Sequence, residues 1–168
     1  PLNENSCAQP NSLHGVMHLA REVMLANAWQ GPLCFLRPTL IYGTDDPHNG
    51  YGPNRFMRQT KKGEDIFLFG EGEELRDHVW IQDVADLTCR VLCHQSIGSL
   101  NIATGSVVSF REISEQVIQL VPSSSQIKGS VRSGAMPHNG YRPFDKSATA
   151  LAFPDFDYTL LPEGLKRL

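Results

Sequence analysis

His14 and His18 stand four positions apart in this 168-residue chain. That spacing is close to one helical turn, so on a helix the two imidazoles share a face, one above the other. Imidazole titrates near neutrality, which suits it to proton transfer as well as to metal ligation. Three uses are therefore open to the pair. Histidines at this spacing chelate zinc, but the Glu of an HExxH motif is missing and no third ligand accompanies them. They can pack or hydrogen-bond with each other, or they can serve as a catalytic acid/base pair. Cys89, Cys93 and His94 form a second cluster of metal-binding residue types. Thiols four apart in an apolar helix do not have the CxxC spacing of structural zinc sites, so Cys89 and Cys93 read as small buried hydrophobes and no metal is expected.

The elements that must position these residues follow from patterning. Asn11 and Ser12 offer N-cap oxygens, and Leu13, Val16, Met17, Ala20, Val23 and Met24 recur at helical spacing until Gly31-Pro32. The apolar run Leu33–Gly43 is too short to span a membrane and reads as one buried strand. A helix followed by a buried strand is an α/β signature. Thr44–Asn54 is dense in Gly, Pro, Asn and Asp and reads as a long loop, and long loops in compact domains are usually functional.

Further on, a short helix over Phe56–Lys62, a strand over Ile66–Gly70 and a strand over His78–Ile81 are expected. A helix over Val84–Cys93 should bury Val84, Leu87, Val91 and Leu92. Leu100–Ala103 reads as a strand. Ser109 and Glu112 fit a capping box opening a helix that buries Ile113, Val117, Leu120 and Val121 until Pro122. Ser133–Pro143 reads as a loop, and Lys146–Ala152 and Pro162–Leu168 as short helices. Trp80 and Tyr42 occupy strand positions that either face a cleft or pack in the core.

Fifteen Lys and Arg against 18 Asp and Glu leave a net charge of −3, with 40% hydrophobic and 20% charged residues. This balance argues for a globular fold and against a polybasic nucleic-acid binder. No apolar run reaches the length of a membrane span, and the opening PLNENSCAQP is not a secretory leader, so no membrane partner is expected. Four sparse cysteines suit a reducing cytoplasm. The chain does not begin with Met, which reads as an internal or C-terminal piece of a longer protein.

Four ordered motifs carry a more specific signal: LRPTLIYG, RDHVWIQDVADL, LNIATG and SFREI. Their order and spacing resemble the C-terminal half of the extended short-chain dehydrogenase/reductase family of nucleotide-sugar epimerases and dehydratases. In that family the corresponding segments read LRxxNVYG, RDFVYVDDVA, NIGTG and Ser-x-x-Glu. The resemblance runs from about Pro10 to Leu168. It implies the C-terminal part of a Rossmann-type fold plus a smaller α/β lobe that binds the sugar nucleotide. Residues 1–43 would supply the catalytic helix and strand, and residues 44–168 mainly the substrate lobe, with some segments returning to the Rossmann sheet.

The same resemblance implies site residues. The family's Tyr-x-x-x-Lys positions fall on His14 and His18, so His14 would be the acid/base toward a sugar hydroxyl. His18, with Thr39 and Leu40, would stand toward NAD or NADP. Asn54, Arg76 and Arg142 would contact a nucleotide-diphosphate sugar, arginine being suited to bidentate phosphate contacts. On residue type alone, Arg76 also fits a solvated charge beside Asp77. Leu40 replaces the family's asparagine. The GxxGxxG turn that cradles the dinucleotide is absent from these residues. A homodimer through the helix carrying His14 and His18 is implied, and the rival reading is a non-catalytic relative that keeps nucleotide-sugar binding.

Overall fold

Pro38 and Thr39 divide the apolar run that the sequence suggests as a single strand. In the computed structural model, which describes residues 1–168, Cys34–Pro38 forms β1 and Leu40–Tyr42 forms β2. The Thr39 amide donates to the Ile102 carbonyl at 3.1 Å, and the chain then changes partners. β1 pairs in parallel with β5 (Gly98–Ile102), while β2 pairs in parallel with β4 (Leu75–Trp80), Leu40 lying opposite His78. Each half has a strand neighbour on one side only, which explains why the run is not fully buried as expected. β1 is half-buried and Leu40 and Ile41 are exposed.

The architecture is mixed α/β with mainly parallel pairings. α1 (Leu13–Ala28) precedes β1 and ends before Gly31-Pro32. Ser12 caps it, its hydroxyl accepting from the Gly15 amide at 3.2 Å. α2 (Pro53–Lys61) follows the Gly- and Pro-rich loop and begins one turn before the expected Phe56, with Pro53 in its first turn. β3 (Ile66–Phe69) pairs in parallel with β7 (Ile127–Ser130). Along β4, β2 takes the His78–Trp80 half, whereas β6 (Val107–Ser109, antiparallel) and β8 (Tyr141–Arg142, parallel) take the Leu75 end. β6, β7 and β8 are short and not expected from the sequence, β8 falling within the segment Ser133–Pro143 read as a loop. α3 (Ile81–Cys93), α4 (Phe110–Leu120), α5 (Ser147–Ala152) and α6 (Leu161–Leu165) complete the fold. α4 starts with the expected capping box: Ser109 accepts from the Glu112 amide, and Glu112 accepts from the Ser109 amide at 2.8 Å.

Two apolar clusters hold these elements. One gathers Tyr42, Phe56, Ile66, Leu68, Trp80, Phe110, Ile113, Val117 and Leu165, so Trp80 and Tyr42 are core residues, stacked edge-to-face at 5.3 Å. The other joins Val79, Leu87, Val91, Leu100, Ile102 and Phe153 beside the β1–β5 pair. Each fully buried side chain of this size contributes about 1.5–3 kcal/mol.

α3 buries only the stripe Asp83, Leu87 and Val91. Cys89 and Cys93 each lie two positions beyond a buried residue, about 200° around the helix. Both thiols are therefore exposed, contrary to the sequence reading, and so is Leu92. Leu120, in the open last turn of α4, is also exposed. α1 buries no residue at all, and Leu13, Met17 and Met24 stand in the open. No helix is long and apolar enough to cross a membrane.

Candidate functional site

β4 organises the site because side chains along a strand alternate between its faces. Arg76, His78 and Trp80 point one way, and Asp77 and Val79 the other. Arg76 is 8% exposed, so it is not the solvated charge that residue type alone allows. Its partner is Glu74 rather than Asp77: Nη2 donates to Glu74 Oε2 at 2.9 Å and to the Pro137 carbonyl at 2.8 Å, while Nη1 donates to the Leu75 carbonyl. Burial pushes the Arg76 guanidinium below its usual pKa, against the pull of Glu74.

Arg142 lies directly opposite Arg76 in the β4–β8 register. A third arginine, Arg132, donates to the other oxygen of Glu74. Two guanidinium groups thus share one buried carboxylate, and the third, Arg142, stands beside Arg76. The Nε atoms of Arg132 and Arg142 are buried donors with no hydrogen-bond partner. Donors arranged this way suit an anion with several acceptor oxygens. Glu74 and Arg132 carry no motif signal, and sequence reasoning misses both.

Asp77 is the third residue missed. It is 2% exposed and accepts four hydrogen bonds, from the Thr39 hydroxyl at 3.3 Å, the Thr104 amide at 3.1 Å, the Thr104 hydroxyl at 3.0 Å and the Gly105 amide at 2.8 Å. Burial raises its carboxyl above the ordinary pKa while these donors oppose the rise. Gly105 has φ of 75°, a left-handed conformation that lets the turn after β5 present its amide to Asp77. Asp77 thereby fastens Thr39, at the junction of β1 and β2, to the end of β5. The only polar side-chain bond of Thr39 is directed at Asp77, and Leu40 is 44% exposed.

Asn54, in the first turn of α2, is buried. Its amide oxygen accepts from the Gly43 amide at 3.1 Å, and its NH2 donates to the Gly43 carbonyl. It clamps the end of β2 to the start of α2. His78 is 5% exposed, both of its ring nitrogens lack partners, and burial lowers its pKa to about 4. It lies at the wall of a cavity of about 610 Å³ lined by Thr104, Ser106, Gln116, Lys146 and Glu163.

His14 and His18 lie together on exposed α1, their Nε2 atoms 3.1 Å apart and their rings edge-to-face at 4.5 Å. The Arg21 guanidinium is 2.8 Å from His18 Nδ1. One turn further, Glu22 accepts from Arg37 Nε at 2.9 Å, fastening α1 to β1. That bond holds the Glu22 carboxyl below the usual carboxylate range.

A whole dinucleotide does not fit the residues present. The positions that the resemblance implies for it hold an imidazole shared with His14 and Arg21, a hydroxyl committed to Asp77 and an exposed leucine, and no Gly-rich turn among these residues offers amides to a pyrophosphate.

The family model described as NAD dependent epimerase/dehydratase family matches residues 1–103. A UDP-N-acetyl-alpha-D-glucosaminuronate decarboxylase from Bacillus cytotoxicus is 30% identical over 125 residues, 71% of this chain and 39% of that protein. Among solved structures, MoeE5 in complex with UDP-glucuronic acid and NAD is 29% identical with a TM-score of 0.80, covering 98% of this chain and 56% of that one. A UDP-N-acetylglucosamine 4-epimerase from Methanobrevibacter ruminantium M1, in complex with UDP-N-acetylmuramic acid, superposes with a TM-score of 0.84 at 17% identity. That match covers 99% of this chain and 55% of the other. The chain thus spans about two fifths to just over half the length of these relatives.

Proposed function

Because the chain belongs to the NAD dependent epimerase/dehydratase family, we propose that it is the C-terminal portion of a nicotinamide-dependent enzyme that epimerises, dehydrates or reduces a nucleotide-diphosphate sugar. The observation that carries this reading is the pairing of Arg76 with Arg142 across β4 and β8. The two cations, together with the unpartnered Nε donors of Arg132 and Arg142, match a diphosphate in charge and in acceptor number. Structures of similar proteins holding UDP-sugars support that ligand class.

In this reading residues 1–43 supply the catalytic helix and strand, and residues 44–168 the sugar-nucleotide lobe. Arg76 and Arg142 hold the diphosphate, and Asn54 sets the α2 end of the cleft by clamping Gly43. His14 exchanges a proton with a sugar hydroxyl, a general acid/base role that imidazole can perform. His18 orients His14 through their contact. The nicotinamide cofactor supplies the hydride chemistry when bound. His18, Thr39 and Leu40 would meet only its nicotinamide end, and the cradle for its pyrophosphate lies outside these residues. The exposed apolar side chains of α1, including Leu13, Met17 and Met24, support a homodimer across this helix.

One observation favours the second reading, a nucleotide-sugar-binding relative without redox chemistry. His14 and His18 satisfy each other, and His18 is also held by Arg21. Nicotinamide absorbance of the full-length protein, followed with a panel of UDP- and dTDP-sugars, separates the two. Transient reduction establishes the enzyme. Tight sugar-nucleotide binding with no reduction and no product establishes the binding protein.

A further inference from the structure

The turn Pro137–Gly140, just before β8, is held by both arginines of the anion site. Arg76 Nη2 donates to the Pro137 carbonyl at 2.8 Å, and Arg142 Nη1 lies 2.6 Å from His138 Nε2. Since guanidinium can only donate, the imidazole nitrogen facing Arg142 accepts and carries no proton. His138 (φ 52°) and Asn139 (φ 51°) are consecutive non-glycine residues in the left-handed region. This uncommon backbone carries the His138 ring that meets Arg142.

We propose that His138 is a diphosphate-binding residue that takes up a proton from solvent as the nucleotide sugar binds. The proposal rests on the assignment of Arg76 and Arg142 to the diphosphate.

The exchange is simple in charge and in hydrogen bonds. In the free protein His138 Nε2 accepts from Arg142. When a diphosphate oxygen takes that Arg142 N–H, the imidazole loses its donor and faces an anion instead. Protonation at Nε2 then supplies a new N–H donor to the phosphate, and no other bond forms or breaks. The groups facing His138 are Arg142 on β8, Arg76 on β4 and Glu74 immediately before β4. Burial, then Arg142, then Arg76 hold its pKa below the ordinary value, and Glu74 acts in the opposite direction. A bound dianion would act with Glu74 against Arg142 and Arg76 and reverse the balance. The sign follows: affinity strengthens as pH falls through neutrality, because the complex binds one more proton than the free protein.

UDP-glucose is a suitable probe, since each of its phosphates carries one ester and one anhydride bond and has no ionisation near neutrality. Calorimetric titration of the full-length protein in buffers of different ionisation enthalpy reads the proton count directly. Uptake of about 0.3–0.8 proton per site is expected at pH 6.5, with Kd tightening about 3- to 10-fold from pH 8 to pH 6. In His138→Asn both effects should vanish. Asparagine tolerates the left-handed backbone, so the turn is preserved.

Wild-type binding without proton uptake overturns the proposal, and so does uptake that persists in His138→Asn. Failure to bind UDP-glucose at all overturns the arginine assignment as well. Binding that Arg142→Ala weakens, with no proton uptake in the wild type, leaves that assignment standing and removes His138 alone.

Discussion

Arg76 and Arg142 lie opposite each other in the parallel pairing of β4 and β8, and Glu74 bridges Arg76 to Arg132. The two strands meet for only two residue pairs, yet that contact brings the Arg142 cation beside Arg76. Glu74 gives the free protein a counter-charge for two of the three guanidinium groups, and the rest of the charge remains for a ligand.

His78 should make stability depend on acid. Its folded pKa of about 4 lies below the ordinary histidine value of 6.5, so its contribution is complete above pH 6.5 and is lost as pH falls toward 4. The loss amounts to about 3 kcal/mol at most. Denaturant titrations between pH 7 and pH 4 should show this decline, and His78→Phe should flatten it. An equal slope in the variant would assign the decline to other groups.

Asp77→Ala should destabilise the protein far more than a surface carboxylate would. It orphans four donors, including the Gly105 amide that orders the turn after β5. A loss of about 1–3 kcal/mol in urea denaturation is expected, because four partly buried donors lose their shared acceptor. A loss below about 1 kcal/mol would show that water replaces the carboxylate.

His14→Ala separates proton transfer from binding. If His14 is the acid/base, kcat falls by about 10²–10⁴ while sugar-nucleotide affinity changes little. Turnover that survives the substitution removes His14 from the mechanism.

Much of the frame is legible in the residues, for identifiable reasons. Ser109 and Glu112 announce α4 because a capping box is a local motif whose partners lie three positions apart. The run Leu33–Gly43 misleads because hydrophobic composition does not reveal a change of strand partner at Pro38 and Thr39. Cys89 and Cys93 mislead because an apolar neighbourhood in sequence says little about which side of α3 faces the core. At the site, Arg76 stands in a recognisable motif. Glu74, Arg132 and His138 do not, since their roles come from a pairing between β4 and β8 that long sequence separation conceals. Asp77 lies inside the same motif as Arg76, and its partners Thr104 and Gly105 lie in LNIATG; only the fold shows that these two motifs bind each other.

The most direct test is the affinity of the full-length protein for UDP-glucose with and without Arg142→Ala. Arg142 is more open than Arg76 and carries no ion pair, so its removal touches the ligand more than the fold. Isothermal calorimetry should show binding weakened about 10- to 100-fold, the equivalent of about 1.5–3 kcal/mol for a lost charge-assisted contact. The melting temperature should change little. Unchanged affinity, or no binding of UDP- or dTDP-sugars by the wild type, would contradict the assignment of this lobe to a nucleotide-diphosphate sugar.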